Sequence, residues 1–464
     1  MSSTPSSSLS LMFAGGASSV TGANFLLKDP STGVSMLVDC GFFQGDTMCS
    51  DKNFEPFPYD PSSITALFVT HSHIDHVGRI PKLVRDGFRG TIYSTFPTKD
   101  FAHEMLKDSL SVLRTDKKDR MNEHAPVLYD DEDIERAMSL WKGVEYHEDI
   151  DMPGGITVSF YDSGHILGSA MVRFRRHGRS LVITGDLGNS PSPIIKDTEP
   201  LPEATYVVME SVYGDRNHED RNNRTKLLED VIKETVEKGG TLVIPSFSLE
   251  RTQDLLFEIN NLVEEGKIPE VPVFLDSPLA IRVTEIYRTY ERYFNTSAES
   301  RIKSGDDIFR FPRLTFTATR EESKMINEEH GPKIIIAGSG MSNGGRVQHH
   351  ERRYLPDPKN TILLVGYQVV GSLGRQLQEG LKQVRIFGDE IPVKARIAHI
   401  LGYSAHKDMD HLISFIEAGA TGVERVYVVL GEPRSETFLA QRLRDYLGLD
   451  ARVPAEREEV TLEV

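Results

Sequence analysis

Hydrophobic positions along the chain fall into short runs whose period changes as the chain proceeds. Residues 11–14, 25–27 and 35–39 are brief apolar stretches broken by glycines and polar turns, the pattern of strands in quick succession. Residues 64–70 (ITALFVT) form a strand-length apolar run that leads straight into His71. From about residue 99 to residue 141, apolar and polar positions recur at helical spacing, and strands resume over 156–161, 170–174 and 180–184. Beyond about Arg216 the texture changes. Charged helices at 226–238 and 252–265 alternate with apolar strands at 241–245, 273–275, 333–337 and 361–365, which predicts a parallel α/β unit. After about Gln383 short strands return, followed by a strand at 426–430 and a helix at 436–447. The pattern predicts a disordered tail over 1–10 and two interleaved units. Residues 11–212 and 384–464 form one, and residues 213–383 are inserted into it.

Composition narrows the class. The 464 residues are 39% hydrophobic and 26% charged, the balance of a globular enzyme with enough chain to bury its core without staples. No apolar run approaches the roughly 20 residues that span a bilayer, and the polar N-terminus lacks the basic region of a secretory signal. Cys40 and Cys49 are too few for a disulfide framework, so a reducing, cytoplasmic setting is expected. The net charge of −16 argues against coating nucleic acid by bulk electrostatics, yet leaves room for a local basic channel beside a metal. The 15 histidines change the picture most, because they cluster.

The densest cluster is His71-Ser72-His73-Ile74-Asp75-His76, directly after a predicted strand. A loop leaving a strand end projects such side chains into one small volume, and imidazole with carboxylate is the donor set that zinc accepts. So many unpaired polar groups would be costly to bury as packing. His165, in Asp162-Ser163-Gly164-His165, and Asp186, in Ile183-Thr184-Gly185-Asp186, lie at strand ends in the same way. Each alone reads as a turn residue. With the first cluster they bring the candidate ligands to six, enough for two metals bridged by a carboxylate. Asp39 also ends a strand and is placed to orient a histidine or a metal-bound water.

His71-x-His73-x-Asp75-His76 followed by His165 and Asp186 resembles the signature of the metallo-β-lactamase fold. The resemblance implies an α/β protein, an αββα sandwich of two mixed sheets, in which His71, His73 and His165 hold one zinc, Asp75 and His76 the second, and Asp186 bridges both. Zinc is the implied ion, with manganese as the alternative. The likeness extends to the β-CASP branch of nucleic-acid nucleases: Glu210 in Val208-Met209-Glu210-Ser211 resembles its motif A, and His406 in Gly402-Tyr403-Ser404-Ala405-His406 its motif B. Further matching segments are Pro245-Ser246-Phe247 with Arg251-Thr252, Asp276-Ser277-Pro278, and residues 338–346 (GSGMSNGGR). These resemble bacterial and archaeal β-CASP ribonucleases, relatives of the endonuclease subunit that cuts messenger-RNA precursors. In the last segment the backbone N–H groups around Ser339, Gly340, Gly344 and Gly345 suit phosphate oxygens, and Arg346 offers a charged fork. A strand-to-helix turn explains the same glycines.

One position departs from the family pattern. Motif C of RNA-cutting members carries a histidine in a Val-His-Gly-Glu segment, whereas this chain reads Val429-Leu430-Gly431-Glu432. Leucine binds no metal, which leaves the second zinc one ligand short. DNA-processing members resemble the chain at this position, while the remaining motifs look RNA-directed; a leucine introduced there to disable the enzyme is a third reading. The expected function is therefore zinc-dependent hydrolysis of phosphodiester bonds in single-stranded RNA, by endonucleolytic or exonucleolytic cutting. Asp75 accepts a proton from water, and His406, supported by Glu210, protonates the leaving oxygen. The alternatives are a DNA-directed nuclease, a non-catalytic RNA-binding relative and a hydrolase of small esters or thioesters. No membrane partner is expected, and the related bacterial proteins suggest a homodimer.

Overall fold

The structure, a computed structural model, describes residues 8–44, 50–119, 127–218, 223–366, 368–369 and 371–464. The chain divides into two compact units, Met1–Ser192 with Lys196–Asn217 and His406–Val464, and Pro193–Ile195 with His218–Ala405.

The first unit is built on two seven-stranded sheets. One runs in the order Glu459–Glu463, Ser8–Gly15, Asn24–Asp29, Val34–Val38, Ala66–Phe68, Thr91–Thr95, Trp141–Val144. The other runs Asp450–Arg452, Arg425–Val429, Tyr206–Glu210, Arg179–Ile183, Ala170–Arg176, Ile156–Asp162, Ile150–Met152. Strand side chains alternate between faces, so a strand that is apolar throughout feeds two cores. In Ser8–Gly15, Leu9, Leu11 and Phe13 enter the core between the sheets, while Met12 and Ala14 enter the outer one. Phe68 of the first sheet meets Phe174 of the second edge-on at 5.4 Å. Outside the first sheet pack the helices Ile80–Arg85, Phe96–Asp119 and Asp131–Ser139; outside the second pack Met409–Ala418 and Pro433–Leu447. These are the four layers of an αββα sandwich.

The second unit carries a six-stranded, wholly parallel sheet in the order Leu314–Phe316, Val273–Asp276, Lys333–Ala337, Thr241–Pro245, Thr361–Val365, Arg396–Ile400. Its three central strands are buried at every residue, as a sheet covered on both faces requires.

Four sequence expectations shift. Ser8–Ser10 open a strand that pairs with Glu459–Glu463 instead of belonging to a tail, and residues 1–7 lie outside the described residues. The helical stretch predicted to reach residue 141 ends at Ser139, and Trp141 starts a strand, its indole N–H donating to Ser94 Oγ at 2.8 Å. Residues 384–405 group with the inserted unit, because Arg396–Ile400 pairs in parallel with Thr361–Val365, so the return to the sandwich comes at His406. Insertion likewise begins later, at His218, with residues 193–195 also belonging to the second unit. Cys40 is buried, and Cys49 lies outside the described residues. No helix among the described residues is long and apolar enough to cross a membrane.

Candidate metal centre

The chain leaves strand Ala66–Phe68, bends at Thr70 to present His71, and turns again at His73, which caps the one-turn helix Ile74–Val77. That turn is sewn to its neighbours by main-chain bonds: Cys40 N–H donates to His76 O at 2.8 Å, and Ala23 N–H to Asp75 O at 3.0 Å. Gly41 lies so close that a Cβ there would stand 1.4 Å from the Asp75 carbonyl oxygen, so only glycine fits.

Asp39, fully buried with φ +57°, organises the histidines from behind. Its Oδ1 accepts from Thr70 N–H at 2.8 Å; its Oδ2 accepts from Thr70 Oγ1 and from His76 Nδ1, both at 2.7 Å. Thr70 Oγ1 also lies 3.1 Å from His71 Nδ1. With the Nδ1 atoms engaged, His71 and His76 turn Nε2 inward, the tautomer control usual for ligating histidines. His73 Nδ1 lies 3.2 Å from both His71 Nε2 and His165 Nε2. Asp186 Oδ2 stands 3.4 and 3.5 Å from those two nitrogens, and its Oδ1 lies 3.4 Å from His76 Nε2. Donor atoms of His71, His73, His165 and Asp186 all fall within 4.8 Å of one another. Asp75 Oδ2 is 4.0 Å from His76 Nε2, and the Asp75 side chain is 20% exposed.

Burial holds the His73 and His165 imidazoles well below their usual range, so both present neutral lone pairs. For Asp186 burial pulls upward, but His76 and His71 more than offset it and keep the carboxyl ionised. Burial raises Asp75. His76 Nε2 is buried with no hydrogen-bond partner. Converging imidazole nitrogens, an ionised carboxylate and an orphaned buried nitrogen fit a divalent cation, which takes donors of these kinds.

Beside this cluster, Glu210 ends strand Tyr206–Glu210 and is fully buried. Its Oε1 accepts from Leu187 N–H at 2.7 Å and from His406 Nδ1 at 3.2 Å, and its Oε2 from Val212 N–H at 3.2 Å. His406 Nδ1 lies 4.0 Å from Asp186 Oδ2. Burial pulls the His406 imidazole down, but Glu210, by charge and hydrogen bond, more than offsets it and brings it up to about 9. The ring is thus cationic at neutral pH and 23% exposed.

Leu430, at the motif C position, follows strand Arg425–Val429 with φ +53° and is buried in the core between the sheets, its N–H donating to Gly16 O at 2.7 Å. In the second unit, Ser339 N–H is turned to Gly344 O at 3.1 Å, and a Cβ on Gly344 would meet nothing within 4 Å, so the glycine stretch has an open side. Arg346 does not offer a free fork. Its Nη1 donates to Asp276 Oδ1 at 2.6 Å and Thr317 O at 2.8 Å, and its Nη2 to Ala318 O at 2.8 Å. Thr70 was not singled out in the sequence; its place between a strand end and His71 is the signal that would have found it.

Comparison with known proteins agrees with this geometry. The metallo-beta-lactamase superfamily domain matches residues 27–202, the Beta-Casp domain residues 252–377, and the Zn-dependent metallo-hydrolase RNA specificity domain residues 390–454. The chain is 36% identical to ribonuclease TTHA0252 of Thermus thermophilus, over 92% of this chain and 94% of that protein. It is 32% identical to an RNase J-like protein of Methanocaldococcus jannaschii (90% and 92%) and 30% identical to transcription termination factor FttA of Methanosarcina mazei (97% and 71%). A crystal structure of a protein of unknown function from Enterococcus faecalis V583 shares the fold, with TM-score 0.59 at 10% identity over 98% of this chain and 100% of that one. Histidines and carboxylates from distant strand ends, gathered in an αββα sandwich that carries a parallel α/β insert, place this chain in the β-CASP branch of the metallo-β-lactamase superfamily.

Proposed function

We propose that the chain is a zinc-dependent ribonuclease that hydrolyses phosphodiester bonds in single-stranded RNA. The observation that carries this reading is the convergence of His71, His73, His165 and Asp186 beside the Glu210–His406 pair. The RNA specificity domain and the ribonuclease-named relatives support RNA as the substrate class. His71, His73, His165 and Asp186 would hold one ion, and Asp75 and His76 a second that shares Asp186. A bound divalent ion supplies Lewis acidity and lowers the pKa of water to about 7.

The chain's own groups do the rest. Asp75, partly exposed at the edge of the cluster, is placed to take the proton of the attacking water. His406, held cationic by Glu210, gives a proton to the departing sugar oxygen, a contribution of about 10²–10⁴-fold for a positioned acid. Asp39 and Thr70 keep His71 and His76 facing inward. Backbone N–H groups around Gly340, Gly344 and Gly345 are suited to RNA phosphates, whereas the Ser339 N–H is spent on Gly344 O and Arg346 braces the stretch from inside.

The test is cleavage of labelled single-stranded RNA by the metal-loaded protein, with single-stranded DNA and a thioester as comparison substrates. Cutting confined to RNA and lost in His73→Ala is the expected result. Thioester or DNA turnover without RNA turnover would overturn the reading.

A further inference from the structure

We propose that Lys407 is a positioning residue, whose ammonium clamps the Gly188 carbonyl and so sets the His406 imidazole against Glu210. Lys407 is only 7% exposed, and its Nζ donates to Gly188 O at 2.7 Å. Burying an ammonium is costly unless it is bonded, and a charged donor makes a stronger bond than a neutral one. Its main chain grips the same segment, with Lys407 N–H donating to Leu187 O at 2.9 Å and Gly188 forming an antiparallel bridge with His406.

Three pieces of the centre meet at this clamp. Leu187 N–H supplies a donor to Glu210 Oε1, the same oxygen that receives His406 Nδ1. Gly188 N–H donates to Ser163 O at 2.8 Å, tying in the loop that carries His165. Asp186 lies two residues before Gly188. There is no slack, because a Cβ on Gly188 would stand 1.7 Å from Gly164 O. Thr198 Oγ1 lies 2.9 Å from Ser163 O and 3.1 Å from Gly188 O, so its single proton is shared between the two carbonyls. Removing the ammonium leaves that carbonyl to Thr198 alone among these two side chains, and residues 187–188 can then shift against His406.

The inference rests on His406 acting as the proton donor proposed above. It is tested on the full-length, zinc-loaded protein with Lys407→Met and Lys407→Arg, by steady-state RNA cleavage and by the ¹H–¹⁵N signals of the His406 ring at fixed pH. Lys407→Met is expected to lower kcat about 10–100-fold, to leave KM within about threefold and zinc content intact, and to move the His406 ring signals. Lys407→Arg, which keeps a charged donor, is expected to restore most of kcat. Unmoved ring signals in Lys407→Met overturn the proposal, whatever happens to kcat. If the unaltered protein cuts no RNA, the ribonuclease reading fails, while the ring signals still decide the role of Lys407. Should Lys407→Met not fold, Lys407→Gln, which loses the charge and shortens the reach to the Gly188 carbonyl, is measured in the same way; moved ring signals support the clamp, and unmoved ones overturn it.

Discussion

Each unit buries an aspartate among histidines, and the two clusters are built to opposite ends. In the second unit every oxygen of Asp276 is answered from within. Oδ1 accepts from Arg346 Nη1 and Thr317 Oγ1, and Oδ2 from His350 Nε2 and Ser323 Oγ, at 2.6–2.8 Å. Burial works against ionisation there, yet these donors, His350 foremost, hold the Asp276 carboxyl down at about 2. In the first unit Asp186 faces the imidazole nitrogens of His71, His165 and His76, and His73 Nδ1 faces those of His71 and His165. Burial keeps His73 and His165 neutral, while for His76 Asp186 and Asp39 more than offset burial and raise it. The residue types overlap, but only one cluster is complete as protein. A buried Asp–His group reads as structural when its donors and acceptors balance, and as a cation site when lone pairs converge.

The sharpest way to break the comparison is Asp186→Ala. It is expected to abolish metal binding and lower RNA cleavage by ~10³-fold or more, with circular dichroism unchanged; metal analysis and a cleavage assay check it. Asp276→Ala should do the reverse, costing about 3–5 kcal/mol of stability in denaturant unfolding by stranding Arg346 and His350, with metal content intact. Equal metal loss in both variants would end the distinction. Glu210→Gln keeps the shape but removes the charge that holds His406 cationic, so kcat should fall about 10²-fold with metal retained.

The smallest effect concerns Glu351, whose carboxyl burial pushes up to about 8 despite a hydrogen bond from Ser342. Its folded value lies above its unfolded one. Its contribution is therefore fully present below about pH 4.5 and is lost as pH rises through about 8. Thermal unfolding followed from pH 4 to 9 should show a decline in that window, which Glu351→Gln flattens.

The centre was legible where chemistry is written in side chains at strand ends. His71, His73, Asp75 and His76 are contiguous, and His165, Asp186 and Glu210 each close or follow an apolar run. What stayed hidden depends on direction or on backbone. A glycine stretch ending in arginine looks the same whether Arg346 points outward or into Asp276. The bond from Lys407 ends on a carbonyl, a group every residue possesses. Short strands such as Gln383–Ile386 and Arg396–Ile400 carry no mark of the sheet they join, which is why the return to the sandwich was placed before residues 384–405. The parallel insert itself was plain from its apolar strands and charged helices, because a sheet buried on both faces leaves no alternation to misread.

The sandwich is finished by its last stretch of chain. Arg425–Val429 and Asp450–Arg452 complete one sheet, Glu459–Glu463 zips against Ser8–Gly15 in the other, and His406 arrives with the same stretch. During synthesis, then, the N-terminal strands wait with an unpaired edge while the entire insert is translated and free to fold. His406, the proposed acid, is translated only after the insert is complete, so a ribosome-bound chain that stops before residue 406 holds the metal-ligand cluster without it.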